Sequence, residues 1–339
     1  MDMLANKLIA KLFFTWLFLS FVIVFSLSHV KKPEYEPAAT RKLIEGNAET
    51  PFQYRYLLPF IIKYSSEKIG IRALSGESLE WICIFSDMLF TGLLFIVLWT
   101  YLKCCNVTIK LRVIGMFFLS YSLAFTYLVP YHLSIYNIYD IPSVYFMTTG
   151  LLLIYKRKMM LFYPVFILAT FNRETTCFLS LAYLFVHART FNLFSPTFYT
   201  KNQRVIWNVL AQATLWFAVK ILLANQFDFP NDNIRFDFAF LRNLKFLVLW
   251  PFKPKMFLEM AQIFVSGAYL WIPVILKWNT ISEPFIKRSL LVIPVYLFGM
   301  LLVGSLAEIR IYGELIPFII PAALFILKGY AKSSFFSLS

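Results

Sequence analysis

The sequence predicts an all-α, polytopic transmembrane helical bundle of about ten spans, with interfacial helices in its outer loops. Three observations carry this. Hydrophobic residues make up 60% of the 339-residue chain, with 38 Phe and a mean hydropathy of +0.68; a soluble domain has no interior for that much apolar surface, whereas membrane-spanning helices require it. The apolar residues fall into runs of helix-spanning length. The charges between those runs segregate by sign into two alternating sets of loops.

The predicted spans are Leu8 to Ser28, Leu79 to Leu102, Leu111 to Val129, Ile138 to Tyr155, Met159 to Phe171, Thr175 to Val186, Val205 to Gln226, Phe257 to Leu276, Ser289 to Leu306 and Leu315 to Leu327. The first exceeds an ordinary signal-peptide core and reads as a retained anchor despite Ser26 and Ser28 near its end. The loops on the N-terminal side carry Lys103, Lys110, Arg112, Lys156 to Lys158, Arg189, Lys201, Arg204, Lys287 and Arg288, opposed by only Asp2 and Glu283. By the positive-inside rule both termini are cytoplasmic. The net charge of +14 is thereby a topology signal, and no nucleic-acid partner is expected. Cys83, Cys104, Cys105 and Cys177 lie in or beside apolar runs without metal-ligand spacing, and read as small core residues with no disulfide framework.

The chain reads as one transmembrane domain, 1–339, with a first extracytoplasmic loop at 29–78 and a second at 227–255. Short turns at Tyr131 to Asn137, Asn172 to Glu174 and Ala307 to Glu314 face the same side. In the first loop, Pro33-Glu34-Tyr35-Glu36-Pro37 is extended and acidic, since two prolines restrict their neighbours. The following Pro51 to Phe60 alternates large apolar side chains with Gln53 and Arg55, as a helix lying in the membrane interface would. The second loop mixes aromatics with Arg235, Arg242 and Lys245, and reads as re-entrant or interfacial.

Charge at membrane depth is costly and marks a working site by default. Asn172-Arg173-Glu174 stands between two apolar runs each too short for a comfortable crossing, Asp140 opens its helix, Asp87 lies inside a span, and Glu308, Arg310 and Glu314 cluster between the last two spans. Each has a plain structural reading: Asp140 and Asn172 as helix caps, Asp87 as a hydrogen-bonding residue, Arg173 and Glu174 as an interhelical pair, and Glu308 with Arg310 as an outer turn. The sharper reading has them converge. If the short pair is a hairpin dipping from the outer face, Arg173 faces a cavity under the first loop with Arg55 and Arg310 nearby. Guanidinium groups in a partly dry site bind phosphate through paired, charge-assisted hydrogen bonds, and a carboxylate there can activate a hydroxyl.

This layout resembles the GT-C superfamily of integral-membrane glycosyltransferases, in which a first helix running outward is followed by a large outer loop with acidic residues and interfacial helices. The matching parts are Leu8 to Ser28 and His29 to Ser78 with Glu34 and Glu36; Glu-Tyr-Glu replaces the Asp-x-Asp signature. The resemblance implies transfer of a sugar from a polyprenyl-phosphate-type lipid donor to a lipid, glycan or protein acceptor outside the cytoplasm. It assigns the base to Glu34 or Glu36 and allows a divalent cation without requiring one. With it, Arg173, Arg310 and Arg55 become donor-phosphate ligands, Asn172, Glu174, Asp140 and Glu308 position the sugar or the arginines, and Gln53 and Tyr54 line the lipid entrance. A polysaccharide polymerase or ligase acting on lipid-linked glycans is an alternative, as is a transporter or flippase that forms no bond. No Gly-rich phosphate loop, His-Glu-x-x-His or Gly-x-Ser-x-Gly occurs. The three histidines, His29, His132 and His187, are dispersed, with His132 a minor candidate on an outer turn.

Overall fold

The computed structural model describes residues 2–69, 76–128, 135–190, 196–227 and 238–332. His132 and Arg235 lie outside them. The described chain is all-helical: α1 (Asp2–Val30), α2 (Thr40–Glu45), α3 (Leu57–Ile69), α4 (Gly76–Cys104), α5 (Ile109–Tyr127), α6 (Asp140–Tyr155), α7 (Met159–Asn172), α8 (Cys177–His187), α9 (Pro196–Gln226), α10 (Phe240–Leu249), α11 (Pro254–Val265), α12 (Trp271–Leu276), α13 (Pro284–Ser289), α14 (Val292–Val303) and α15 (Ile316–Lys332). Helix is the form that an apolar chain takes in lipid, because every backbone N–H and C=O is then satisfied within its own segment.

Among the described residues, six helical stretches are long and apolar enough to cross a membrane: Leu12–Val30, Gly76–Cys104, Ile109–Tyr127, Thr197–Gln226, Pro284–Val303 and Ile309–Tyr330. The remaining predicted runs form shorter elements. Helices α6, α7 and α8 have 16, 14 and 11 residues. The run Phe257 to Leu276, expected as one helix, is broken. Gly267, Ala268 and Tyr269 all have positive φ (61°, 54° and 61°), and the Gly267 N–H donates to Thr126 Oγ1 at 3.2 Å. Helix α11, before the break, has no buried residue.

Burial separates the centre from the rim. In the final crossing stretch 94% of the window is buried, against 11% in Thr197–Gln226, so α15 is central and α9 peripheral. Helix α6 is buried along nearly its whole length and packs on α4, α7, α8 and α15. Such contact needs small residues, since helices in lipid associate by close packing. A Cβ at Gly150 would overlap the Leu179 side chain, and one at Gly115 would lie 2.8 Å from Leu102 and 2.9 Å from Leu324.

The short pair is a hairpin. Helix α7 ends where Arg173 turns extended (φ −161°, ψ 141°), and a 3-10 turn, Glu174–Thr176, leads into α8. The other ends of the pair meet at a cavity of about 230 Å³ shared by Arg157, Val186 and His187. The hairpin tip lies at the same end of the bundle as the loop following α1. That loop folds onto the tip and onto the segment before α6: the Tyr56 N–H donates to the Phe171 carbonyl at 2.9 Å and the Tyr136 N–H to the Pro33 carbonyl at 3.0 Å. The stretch predicted as one interfacial helix divides into a 3-10 turn at Phe52–Tyr54 and the helix α3, on which Phe60, Ile61 and Tyr64 remain exposed.

Candidate functional site

The ionisable residues lie at the starts of, or in the segments leading into, three helices at this end of the bundle, α6, α8 and α15. Asp140 is the first residue of α6. Glu174 opens the 3-10 turn before α8. Arg310 and Glu314 lie in the 3-10 segment Ile309–Leu315 that leads into α15. The N-terminus of an α-helix carries roughly half a positive charge, so three of them bias this region toward anions.

The side chains form a network of two ion-paired groups that meet at the Tyr139 ring. Arg173 Nη1 lies 2.9 Å from Glu314 Oε1 and 3.2 Å from Asp140 Oδ1, with Arg173, Asp140 and Glu314 all fully or almost fully buried. Arg310 Nη1 lies 3.6 Å from Asp140 Oδ2, and the same guanidinium is ion-paired to Glu308. Arg55, delivered by the first loop, donates from Nη2 to Glu174 Oε1 at 2.8 Å and from Nε to Oε2 at 3.4 Å. Lys220 of α9 stands 3.8 Å from Glu174 Oε2. Four cations thus face four carboxylates. The Arg55 guanidinium also lies 4.6 Å from the Tyr139 ring centroid and 5.1 Å from that of Phe52, which fixes its plane.

The network has a dry base and a wetter rim. Asp140 and Glu314 have no exposed side-chain surface, whereas Glu174 and Glu308 keep 27% and 29% of theirs. Burial opposes charge on Glu174, but Arg55 and then Lys220 hold its carboxyl well below the usual range. Burial likewise opposes charge on Glu308, and Arg310 holds it down. For Arg55, burial is outweighed by Glu174, which raises its pKa further. Arg55 Nη1 and Arg173 Nε have no hydrogen-bond partner among the described residues. Glu314 Oε1 and Oε2 also lack a hydrogen-bond partner among those residues, so donors and acceptors are both left over beside the ion pairs.

Asn172 is a positioning residue: its Nδ2 donates to the Tyr139 carbonyl at 3.1 Å and to Ser143 Oγ at 2.9 Å, tying the hairpin to α6. Gln53, expected at a lipid entrance, instead pins the interior of the first loop. Its Nε2 donates to the Leu43 carbonyl at 3.2 Å, its Oε1 accepts from the Ala48 N–H at 2.9 Å, and it is fully buried. Tyr54 forms a platform under Lys220, 5.3 Å from ammonium to ring centroid. Glu34 is exposed and accepts from the Thr40 N–H at 3.2 Å and from the Thr40 hydroxyl; Glu36 is exposed and pairs with Lys42. Neither is ion-paired to the three arginines. Among the described residues no group of three His, Cys, Asp or Glu is arranged to hold a metal ion.

Two participants escaped the sequence reading. Lys220 was legible as a lone Lys inside the span Val205 to Gln226, a signal of the same kind as Arg173. Tyr139, the aromatic platform between Arg55 and Arg173, carried no signal separable from ordinary core. Compared with family models, with curated proteins and with solved structures, the chain matches none.

Proposed function

We propose that the protein is a membrane glycosyltransferase moving a sugar from a polyprenyl-phosphate-type donor to a lipid, glycan or protein acceptor on the extracytoplasmic side. The observation that carries this reading is the convergence of Arg55, Arg173 and Arg310, from three distant parts of the sequence, at one end of the bundle. Spare guanidinium donors and three helix N-termini favour an added phosphate there. Arg310 and Arg55, nearest the rim, receive the donor phosphate as it displaces Glu308. Arg173 sets the position of Arg310 through Asp140, and Glu174 sets that of Arg55.

In the transfer step the acceptor oxygen forms a bond to the anomeric carbon while the bond from that carbon to the phosphate oxygen breaks. The polyprenyl phosphate leaves with the electron pair, and its new charge falls against the arginines. The hydroxyl proton goes to a loop carboxylate, for which Glu34 is favoured over Glu36 because Thr40 holds it in place. Lipid-linked intermediates and glycans from cells lacking the chain, restored with wild type or Arg310→Ala, test the reading by mass spectrometry. Loss of one sugar that only wild type restores is the expected result. Collapse of long chains to single units would replace the proposal with a polymerase, and unchanged glycans would replace it with transport.

A further inference from the structure

His29 and Asp87 form a second ionisable pair at membrane depth, apart from the arginine network. His29 Nδ1 lies 3.2 Å from Asp87 Oδ1, and the two side chains are 0% and 4% exposed. The rings of Phe25, Tyr127 and Tyr136 enclose the imidazole at centroid distances of 5.4, 5.3 and 5.1 Å. Neither His29 Nε2 nor Asp87 Oδ2 has a hydrogen-bond partner among the described residues.

A pair that served packing alone would be replaced at little loss by apolar side chains, since desolvating ionisable groups in hydrocarbon is costly. The asymmetry of this pair is informative. With Nδ1–H donating to the carboxylate, the tautomer is set and the Nε2 lone pair is left free to accept a proton. Two tyrosines border the ring. Tyr136 pairs its backbone with Glu34 in a parallel bridge, so His29 and Glu34 flank the same residue. The Tyr127 hydroxyl packs on Gly313, the neighbour of Glu314. The other titratable or charged groups around the imidazole are Cys83 of α4, together with Lys32, whose ammonium is engaged with the Leu128 carbonyl at 2.8 Å.

We propose that His29, oriented by Asp87, is a proton-binding site inside the membrane that takes up, by way of Glu34, the proton released from the acceptor hydroxyl. Proton binding follows from the pair's own geometry; its use in transfer rests on the function proposed above. The acceptor oxygen loses the proton to the Glu34 carboxylate, which passes it to Nε2 and is restored as carboxylate, leaving an imidazolium paired with Asp87.

The test uses full-length protein labelled with ¹⁵N-histidine in lipid nanodiscs. The chain has three histidines, and loss of a resonance in His29→Gln assigns the one of interest. The expected result is an imidazole carrying its proton on Nδ1 that gains a second proton on Nε2 when the sample is acidified, with Asp87→Asn redistributing the tautomers. A His29 resonance unchanged on acidification, or indifferent to Asp87→Asn, overturns the proton site. If His29→Gln does not fold, Asp87→Asn gives the same reading. The second arm is the pH profile of sugar transfer. Loss of its acid limb in His29→Gln with donor KM retained supports the link, whereas an unaltered profile with a titrating His29 overturns the link alone. Absence of transferase activity in wild type overturns the function and leaves the resonance result to decide proton binding.

Discussion

Arg173 holds two fully buried carboxylates on one guanidinium nitrogen, and Glu314 has no other cation within ion-pairing distance among the described residues. Removing one member of a buried ion pair leaves its partner uncompensated, at about 3–5 kcal/mol. Arg173→Ala strands Glu314 in this way. It should lower the melting temperature of detergent-solubilised protein sharply, and Arg173→Ala with Glu314→Gln should recover part of the loss. Glu174 gives a pH signature. Its folded pKa lies below its unfolded value because Arg55 and Lys220 outweigh burial. Its contribution to stability is therefore complete above the ordinary glutamate range, near pH 4.3, and declines only as pH falls from there toward the folded value. Glu174→Gln should flatten the melting temperature between about pH 5 and 3, and an unaltered slope would remove Glu174 as its source. At this scale the charged residues were legible because charge in an apolar run is conspicuous. Their pairing was not: nothing local in the sequence says that Arg173 turns to Asp140 and Glu314 while Arg55 takes Glu174, or that Asp87 meets His29 across the α1 to α4 interface. These choices depend on contacts between residues 33 to 141 positions apart.

Among the elements, long uninterrupted runs were legible and interrupted ones were not. Leu79 to Leu102 became the helix Gly76–Cys104 with only its ends moved. The Phe257 to Leu276 run looks equally apolar but breaks at Ser266–Tyr269, where one glycine among twenty residues gave only a weak cue. The left-handed backbone at Ala268 costs a non-glycine residue about 1–2 kcal/mol. Ala268→Gly should consequently stabilise the protein by up to about 1 kcal/mol, after allowance for the greater entropy of glycine in the unfolded chain. A lower melting temperature for Ala268→Gly would mean that its methyl group makes contacts worth more than the strain. Gln53 shows the opposite error. Its alternation with apolar neighbours suggested an interfacial face, whereas its amide satisfies the loop's own backbone.

For the whole molecule, the alternating charge of the loops predicts a sidedness. Lys103, Arg112 and Arg157 lie near the ends of helices opposite the arginine network, and Glu34, Glu174 and Glu308 lie at the network's end. The expectation is that both termini and the Arg157 turn face the cytoplasm and the α1 to α4 loop faces away from it. Single cysteines introduced at Glu36 and at Lys201, in a background with the native cysteines replaced, should react with a membrane-impermeant maleimide in intact cells at Glu36 only. Labelling of Lys201→Cys instead would invert the molecule and place the network on the cytoplasmic side.

The central claim is that the convergent arginines bind a lipid-linked sugar phosphate for transfer, and purified protein in liposomes with a radiolabelled polyprenyl-phosphate sugar tests it most directly. Wild type should move label from the donor to an acceptor supplied as crude lipid and glycan extract. Arg310→Lys should lose nearly as much rate as Arg310→Ala, because an ammonium cannot reproduce the planar fork. Full activity in Arg310→Lys and Arg173→Lys, with both proteins folded, would contradict the account.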